Sequence, residues 1–488
     1  MKKGGPNIDI SGLLTQVERE ACKASLFEFV KSFWSVIIPE DPVFNWHIPY
    51  LCEELEKLSH YIVNRLPKPY DIIINIPPGT TKSTIVTIMF PAWLWTQDPT
   101  LRIISNSYSA DLSIEHATKS RDIINSDKYR RLFPEVQIRR DKSGKGNYEN
   151  TKTGARYTTS TGGTITGKHA HVIINDDPLN PSQAESDVLR AAANEHTKTL
   201  ASRKVDKKNT PTITIMQRLH EDDVTGYLLA KKGDAIRHLN LPAELSDRVL
   251  PPEVRKRYID GLLDPVRLDL NTLREAKTDL GSRAYSGQYE QDPVAAGGNI
   301  VKRDWFPTIS RYDFERLRTY EPIIFWADTA YTDNAKDNDP TGLLAACKIG
   351  AYIYILKVKK VYLSFPDLIS FLPNWLLENG YNDESSFRVE PKANGISVIQ
   401  TLKRTGLNVV ETPSPRDSKK VRFNAVAPTI EAGRVFLVMD NWNEDYLDEV
   451  TGFPAKTHDE LVDITSYCVD YYNNTDGGPQ TDLADYFN

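Results

Sequence analysis

The chain has 488 residues, more than one ordinary domain holds, so two or three domains are expected. Hydrophobic residues at 40% and aromatics at 10% suffice for true cores and exclude a disordered chain. The formal charge of -6 argues against a tail-driven, histone-like binder of nucleic acid, although a local basic groove would survive it.

No apolar run reaches the length of a membrane span, and MKKGGPNIDI lacks the apolar core of a signal peptide, so neither a membrane nor export is expected. Cys22, Cys52, Cys347 and Cys468 are scattered, which fits a reducing compartment better than a disulfide or zinc framework. His169 and His171 have no further metal ligands nearby in sequence and read as a surface pair.

In chain order, residues 71–216 alternate short β-branched runs with stretches of helical length. The runs are DIIINI (71–76), LRIISNS (101–107), HVIIN (171–175) and PTITIM (211–216). Runs apolar on both faces and separated by helices predict a parallel sheet covered on both sides. Residues 246–300, rich in Pro and charge and ending in AAGGN, read as a linker or hinge with some helix of its own, after a first domain over 1–245.

A second α/β domain is expected over 301–475. It opens with strands PIIFWAD (322–328), TGLLAACK (341–348) and AYIYILKV (351–358), with Gly350 in a tight turn. A helix near 365–377, a strand at 386–390, a helix after Asn394 and a final helix near 459–472 follow, and 476–488 reads as a loose tail.

Two constellations carry chemistry. NIPPGTTKST joins a strand to a helix and ends in Lys82-Ser83, as a phosphate-binding loop does, although Ile76 and Thr81 stand where that pattern has glycine. A helix N-terminus offers unpaired N–H groups to phosphate. Lys82 would neutralise the β- and γ-phosphates and Ser83 would offer its hydroxyl to Mg²⁺, while Gly79 supplies backbone freedom. Pro78, Thr80, Thr81 and Thr84 complete the loop. Asp176 and Asp177 follow an apolar strand, where adjacent carboxylates are costly without a role. Asp176 would join the Mg²⁺ shell and Asp177 would polarise the attacking water, the alternative being an acidic helix cap. Gln217 and Arg218, after the next strand, would sense the γ-phosphate, and Phe44, Trp46 or His47 would line a base pocket unless they pack in a core.

In the second domain Asp328 and Glu390 end strands, and HDELVD sets Asp459 and Asp463 one helical turn apart with Glu460 beside them. Such an acidic cluster needs cations, and two Mg²⁺ or Mn²⁺ ions would suit phosphodiester hydrolysis. Asp339 and Lys392 are further contributors to weigh, each with a bland reading as a turn or a solvated residue. The basic stretches 139–148 and 202–208 would track a DNA backbone or simply be solvated loops.

Taken together, PPGTTKS with FPAWLW, TGGTITGKHAHVIINDDP, IMQRLHEDDVTGYLL, GQYEQDPVAAGG, and the acids Asp328, Glu390 and HDELVD resemble the large terminase subunits of tailed bacteriophages, from about residue 40 to 472. The resemblance implies an N-terminal P-loop ATPase with a helix-covered parallel sheet and a C-terminal ribonuclease H-like nuclease with a mixed sheet. It implies ATP with Mg²⁺ at one site and Mg²⁺ or Mn²⁺ at the other. It also implies translocation of double-stranded DNA into a capsid and cutting of concatemers in the host cytoplasm. The implied partners are a portal protein, a small terminase subunit and copies of the chain in a ring, a pentamer. The hinge would restrain the nuclease during packaging, and Arg203 or Arg218 would serve as a trans-acting arginine. The family commonly has a second Asp where this chain has Glu460, so the third metal ligand stays open among Asp459, Glu460 and Asp463, with Asp459 favoured. The competing readings are a helicase-like ATPase–nuclease of repair or recombination, and a recombinase with a decayed ATPase.

Overall fold

The computed structural model describes residues 10–293, 299–329, 340–391, 395–412, 417–454 and 459–475. The described residues form two compact units, 10–277 with 283–293 and 278–282 with 299–475.

In the first unit the strands among the described residues are β1 (Asp71–Asn75), β2 (Arg102–Ser107), β3 (Ile138–Ser143), β4 (Tyr148–Asn150), β5 (Ala155–Ser160), β6 (Val172–Asp176), β7 (Thr212–Met216) and β8 (Ile236–Asn240). They form one sheet in the order β3-β4-β5-β2-β6-β7-β1-β8. The run from β5 to β8 is parallel, and β3 and β4 add an antiparallel edge. The apolar pattern explains this arrangement. Ile72 and Ile74 enter one core cluster while Ile73 enters another on the opposite face. Ile103, Val172 and Ile174 join the first cluster, whereas Ile104 and Ile173 face a third. Each such isoleucine contributes about 1.5–3 kcal/mol only when its face is covered, so helices are required on both sides.

The 246–293 stretch, expected as a connector with some helix of its own, has that helix and a small core as well. Leu262, Leu268, Leu273 and Tyr285 form a small core with Ala243, and the helix Leu270–Gln288 is interrupted at Gly281, whose φ is 72°.

The second unit holds β9 (Thr308–Ile309), β10 (Ile324–Asp328), β11 (Thr341–Ile349), β12 (Tyr352–Val361), β13 (Ser386–Val389), β14 (Val409–Glu411) and β15 (Val435–Val438). Their order is β14-β13-β10-β11-β12-β15-β9, with β10, β11 and β12 antiparallel and the outer pairs parallel. Gly350 turns β11 into β12 at φ 58°, a left-handed value glycine adopts without cost. Ile324 and Trp326 pack into one core and Phe325 and Ala327 into another, so this sheet too is covered on both faces. Among the described residues no helix is long and apolar enough to cross a membrane.

Candidate nucleotide and nuclease sites

The phosphate loop lies between β1 and a single π-helical turn, Thr84–Met89. Gly79 has φ 75°, and Thr81, where the loop pattern has glycine, is held at φ 61°. A β-branched residue in the left-handed region is strained by about 1–3 kcal/mol, so the surrounding loop must dictate this conformation. It does so with local bonds. The Thr80 hydroxyl donates to the Pro77 carbonyl at 2.7 Å, and the Ile85 N–H donates to the Thr81 carbonyl at 3.1 Å. His47 Nε2 lies 3.2 Å from the Thr80 carbonyl. His47 thus touches the loop itself. Phe44 instead packs on Phe27 and Trp34, and Trp46 packs on Tyr50 and Tyr258, so these two rings are packing residues.

The loop and the strand-end acids meet. Ser83 Oγ donates to Asp176 Oδ1 at 3.0 Å, and Lys82 Nζ lies 3.3 Å from Asp177 Oδ2. Asp176 is fully buried, and its Oδ2 accepts from Thr87 Oγ1 at 2.6 Å. Burial pushes both carboxyls above the usual range, against hydrogen bonds and the charge of Lys82. Asp177 stands at φ 42°, and the Gln217 backbone N–H lies against its carboxylate. Asp177 Oδ1 is buried without a hydrogen-bond partner among the described residues. Hard oxygen donors from Ser83, Asp176 and Asp177 suit Mg²⁺.

Arg218 is placed differently from its expected sensor role. Its Nε lies 3.0 Å from Asp223 Oδ2, and its Nη2 donates to the His220 carbonyl at 3.2 Å. The guanidinium therefore supports the buried cap of the helix Val224–Lys232. The basic stretches are largely solvated, one of the two uses expected of them, with some of their cations paired. Arg139 and Lys142 pair with Asp141 and Glu149, and Lys204 is buried on Asp71. Arg140, Lys145, Lys207 and Lys208 remain exposed.

In the second unit the parallel register Ala327↔Val389 sets Asp328 and Glu390 side by side just beyond the paired residues. The helix Glu460–Asn474 packs against β10 and β11. Burial pushes the Asp328 carboxyl up to about 7, and its acidic neighbours Asp463, Glu390 and Glu460 add to this while Lys419 opposes it. Glu390 accepts from the Tyr467 hydroxyl at 2.9 Å. Asp463 is buried and pairs with Arg422 and, at 2.8 Å, with Lys419. Asp459 stands at the N-cap position of the helix without a capping hydrogen bond from its side chain, and sits on Lys419 at 2.5 Å, more exposed than Asp463. Glu460 lies 3.9 Å from Lys360. The acids of HDELVD that act on Asp328 are Asp463, the stronger, and Glu460, whereas Asp459, which the sequence favoured, is not among its neighbours. Asp339 and Lys392 lie outside the described residues. Among the described residues no three His, Cys, Asp or Glu side chains already form a metal cage. The donors are nonetheless hard oxygens of the kind Mg²⁺ and Mn²⁺ take.

Residues 382–471, which hold Glu390, Asp459 and Asp463, match the family model described as the terminase RNase H-like domain. This segment is similar to terminase RNase H-like domains. Among solved structures, the large terminase of a thermophilic bacteriophage in complex with ADP aligns at 13% identity and TM-score 0.49, covering 87% of this chain and 100% of that one. The same protein in complex with ATP-gamma-S aligns at 13% identity and TM-score 0.47, covering 86% and 98%. The magnesium-bound large terminase nuclease of a second thermophilic phage aligns at 14% identity and TM-score 0.27, covering 36% of this chain and 98% of that one. No curated protein matches the chain.

The sequence pointed to Lys82, Ser83, Asp176, Asp177, Asp328 and Glu390 but missed Thr87, Arg156, Lys419, Arg422 and Tyr467. All but Arg156 touch a predicted residue across the fold, and Arg156 touches Thr87. Only Arg156, a cation inside a β-rich run, left a trace in the sequence.

Proposed function

We propose that the chain is the large terminase subunit of a tailed bacteriophage. In this reading it is an ATPase that drives double-stranded DNA into a preformed capsid and a metal-dependent endonuclease that cuts concatemeric DNA. The observation that carries it is the pairing of a phosphate loop with strand-end acids, Ser83 on Asp176 and Lys82 on Asp177, in a chain that also holds a segment similar to terminase RNase H-like domains. The phage terminases described above were solved with ADP, ATP-gamma-S and magnesium, and the same classes of cofactor are proposed here.

At the first site Lys82 and the loop N–H groups bind the phosphates of ATP, and Ser83 and Asp176 would hold Mg²⁺. Bound there, Mg²⁺ supplies positive charge against the β- and γ-phosphate oxygens. Asp177, with its raised carboxyl, orients the attacking water and takes up its proton. Gln217, whose backbone touches Asp177, reports the loss of phosphate. Arg218 supports that turn, and Arg203 is the candidate trans-acting arginine.

At the second site Asp328, Glu390 and Asp463 would hold Mg²⁺ or Mn²⁺, which supplies charge for the departing oxygen. Tyr467 orients Glu390, and Asp459 keeps Lys419 in place. Residues 1–245 form the motor, 246–300 the hinge that restrains cutting during packaging, and 301–475 the nuclease. A portal protein, a small terminase subunit and a pentameric ring of copies are the partners, at the portal vertex in the host cytoplasm.

The test is a pair of single variants assayed for ATP hydrolysis and for plasmid cleavage with Mn²⁺. Lys82→Ala is expected to lose hydrolysis alone and Asp328→Ala cleavage alone. Normal hydrolysis by Lys82→Ala sinks the motor assignment. Strand displacement by the wild type favours the helicase-like alternative.

A further inference from the structure

The turn that follows the phosphate loop is π-helical, with the Phe90 N–H bonded to the Ile85 carbonyl five residues back. A π turn holds more residues than an α turn and turns the side chains after it to new directions, and such turns are frequent at functional sites. Here Thr87 sits within it, 1% exposed, and is held at both ends. Its hydroxyl donates to Asp176 Oδ2 at 2.6 Å, and its carbonyl accepts from Arg156 Nη2 at 2.7 Å.

Arg156 projects from β5 and is 1% exposed. Its other hydrogen bonds go to Ser105 Oγ at 3.3 Å and Ser120 Oγ at 3.4 Å, all neutral acceptors. No carboxylate among the described residues lies within ion-pair distance of it, yet the charge of Asp176 reaches it. A buried guanidinium without an ion pair is costly, and the nucleotide mechanism described above makes no use of it.

We infer that Thr87 and Arg156 are positioning residues of the ATPase site: Arg156 fixes the π turn through the Thr87 carbonyl, and the Thr87 hydroxyl fixes one oxygen of Asp176, so that the other, bonded to Ser83, faces the cation of the bound nucleotide. The inference rests on the ATPase reading. Outer partners of this kind commonly change metal affinity by about 10–100-fold when removed.

The test is equilibrium binding of a fluorescent, non-hydrolysable ATP analogue to the full chain, in EDTA and over a Mg²⁺ titration. Thr87→Val, which keeps the shape and removes the hydroxyl, is expected to bind the analogue normally in EDTA and to need about tenfold more Mg²⁺ for the gain in affinity. Thr87→Ser, which restores the hydroxyl, is expected to behave as the wild type. Arg156→Lys is expected to show the same kind of shift, with no further shift when added to Thr87→Val. Wild-type Mg²⁺ dependence in Thr87→Val, or an equal loss in EDTA, overturns the role of Thr87. Additive shifts in the double variant overturn the role of Arg156. A wild type that binds no analogue in either condition overturns the ATPase reading itself.

Discussion

Asp71 opens the strand that leads into the phosphate loop, and it gathers three lysines. Lys68 lies 2.5 Å from its carboxylate, Lys232 2.7 Å and Lys204 3.4 Å, and the Thr212 N–H donates to it at 2.8 Å. Burial works against the charge, but Lys204, Lys68 and Lys232 outweigh it and hold the carboxyl well below the usual carboxylate range. Burial pushes Lys204 down to about 7 even with Asp71 beside it. Asp71→Asn keeps the shape and an acceptor for Thr212 but leaves Lys204, 5% exposed, without its anion. Removing one partner of a buried pair costs about 3–5 kcal/mol. Two other facts lower this figure. Lys68 and Lys232 reach solvent, and Lys204 can shed its proton, so we expect about 3 kcal/mol at pH 7.

Hydrogen exchange at the amides of β1 and β7 reads the opening of the first unit by itself and is the assay. A loss of about 3 kcal/mol corresponds to roughly 150-fold faster exchange through opening of that unit. The pH dependence follows from the signs. The depressed Asp71 carboxyl gives the wild type an advantage that is full above the unfolded value of about 3.9 and is lost as pH falls through the folded value. Lys204 is depressed too. Between about 7 and 10.4 the unfolded chain binds its proton while the folded chain does not, in wild type and variant alike, so stability rises with pH in both. Without Asp71 the folded Lys204 sheds its proton at lower pH, so the gap narrows as pH rises toward about 7 and is level above it. Exchange within about twofold of the wild type at pH 7, or a gap that widens toward alkaline pH, would refute the reasoning.

Other expectations concern the two sites. Gly79→Ala should cost about 1–2 kcal/mol, read as a lower thermal midpoint, because φ 75° penalises a side chain even though no atom crowds it. Thr81→Gly should change the midpoint little, since about 1 kcal/mol of relieved strain is offset by added chain entropy, and ATP hydrolysis should persist. Asp463→Asn should lose plasmid cleavage by more than about 100-fold while Asp459→Asn keeps it within about tenfold, and the reverse order would restore Asp459 as the ligand. Arg218→Ala should destabilise the first unit by about 3 kcal/mol, because fully buried Asp223 loses its cation; an unchanged midpoint with lost hydrolysis would make Arg218 a sensor after all.

The strands nearest the chemistry were legible in the sequence because each is apolar on both faces. DIIIN, VIIND, TITIM and IFWAD all fall within a residue or two of their expected ends. The edge strands β3, β8, β9 and β14 were not legible, and neither were their inner neighbours β4, β5 and β15. An edge strand such as IRRDKS is half solvated, so its residues carry no apolar pattern to read. The same distinction holds for the sites. Lys82, Ser83 and Asp176 share a local pattern of strand, turn and helix, whereas Thr87 acquires meaning only through a π turn that no spacing rule anticipates. The choice between Asp459 and Asp463 depended on how the last helix begins. Asp459 occupies the cap position with φ -146° and Asp463 lies inside the first turn, so one helical turn of spacing did not place both on the buried face.

The second site also shows how an acidic cluster stays folded before any cation arrives. Lys419 bridges Asp459 and Asp463, and Arg422 adds a second cation to Asp463. Burial opposes the charge of Lys419, but the two carboxylates outweigh it and raise the ammonium above its ordinary range, so it is charged throughout the working pH range. Such a cation stabilises the unit and, in the proposed reading, would compete with Mn²⁺ for Asp463. Lys419→Met should therefore lower the metal-free thermal midpoint and tighten Mn²⁺ binding measured by calorimetry, each by about 1–2 kcal/mol for a pair that is partly solvated. The opposite signs are the content of the expectation. A variant that loses both stability and Mn²⁺ affinity would mean that Lys419 builds the metal site, and one that changes neither would mean that Arg422 alone balances Asp463.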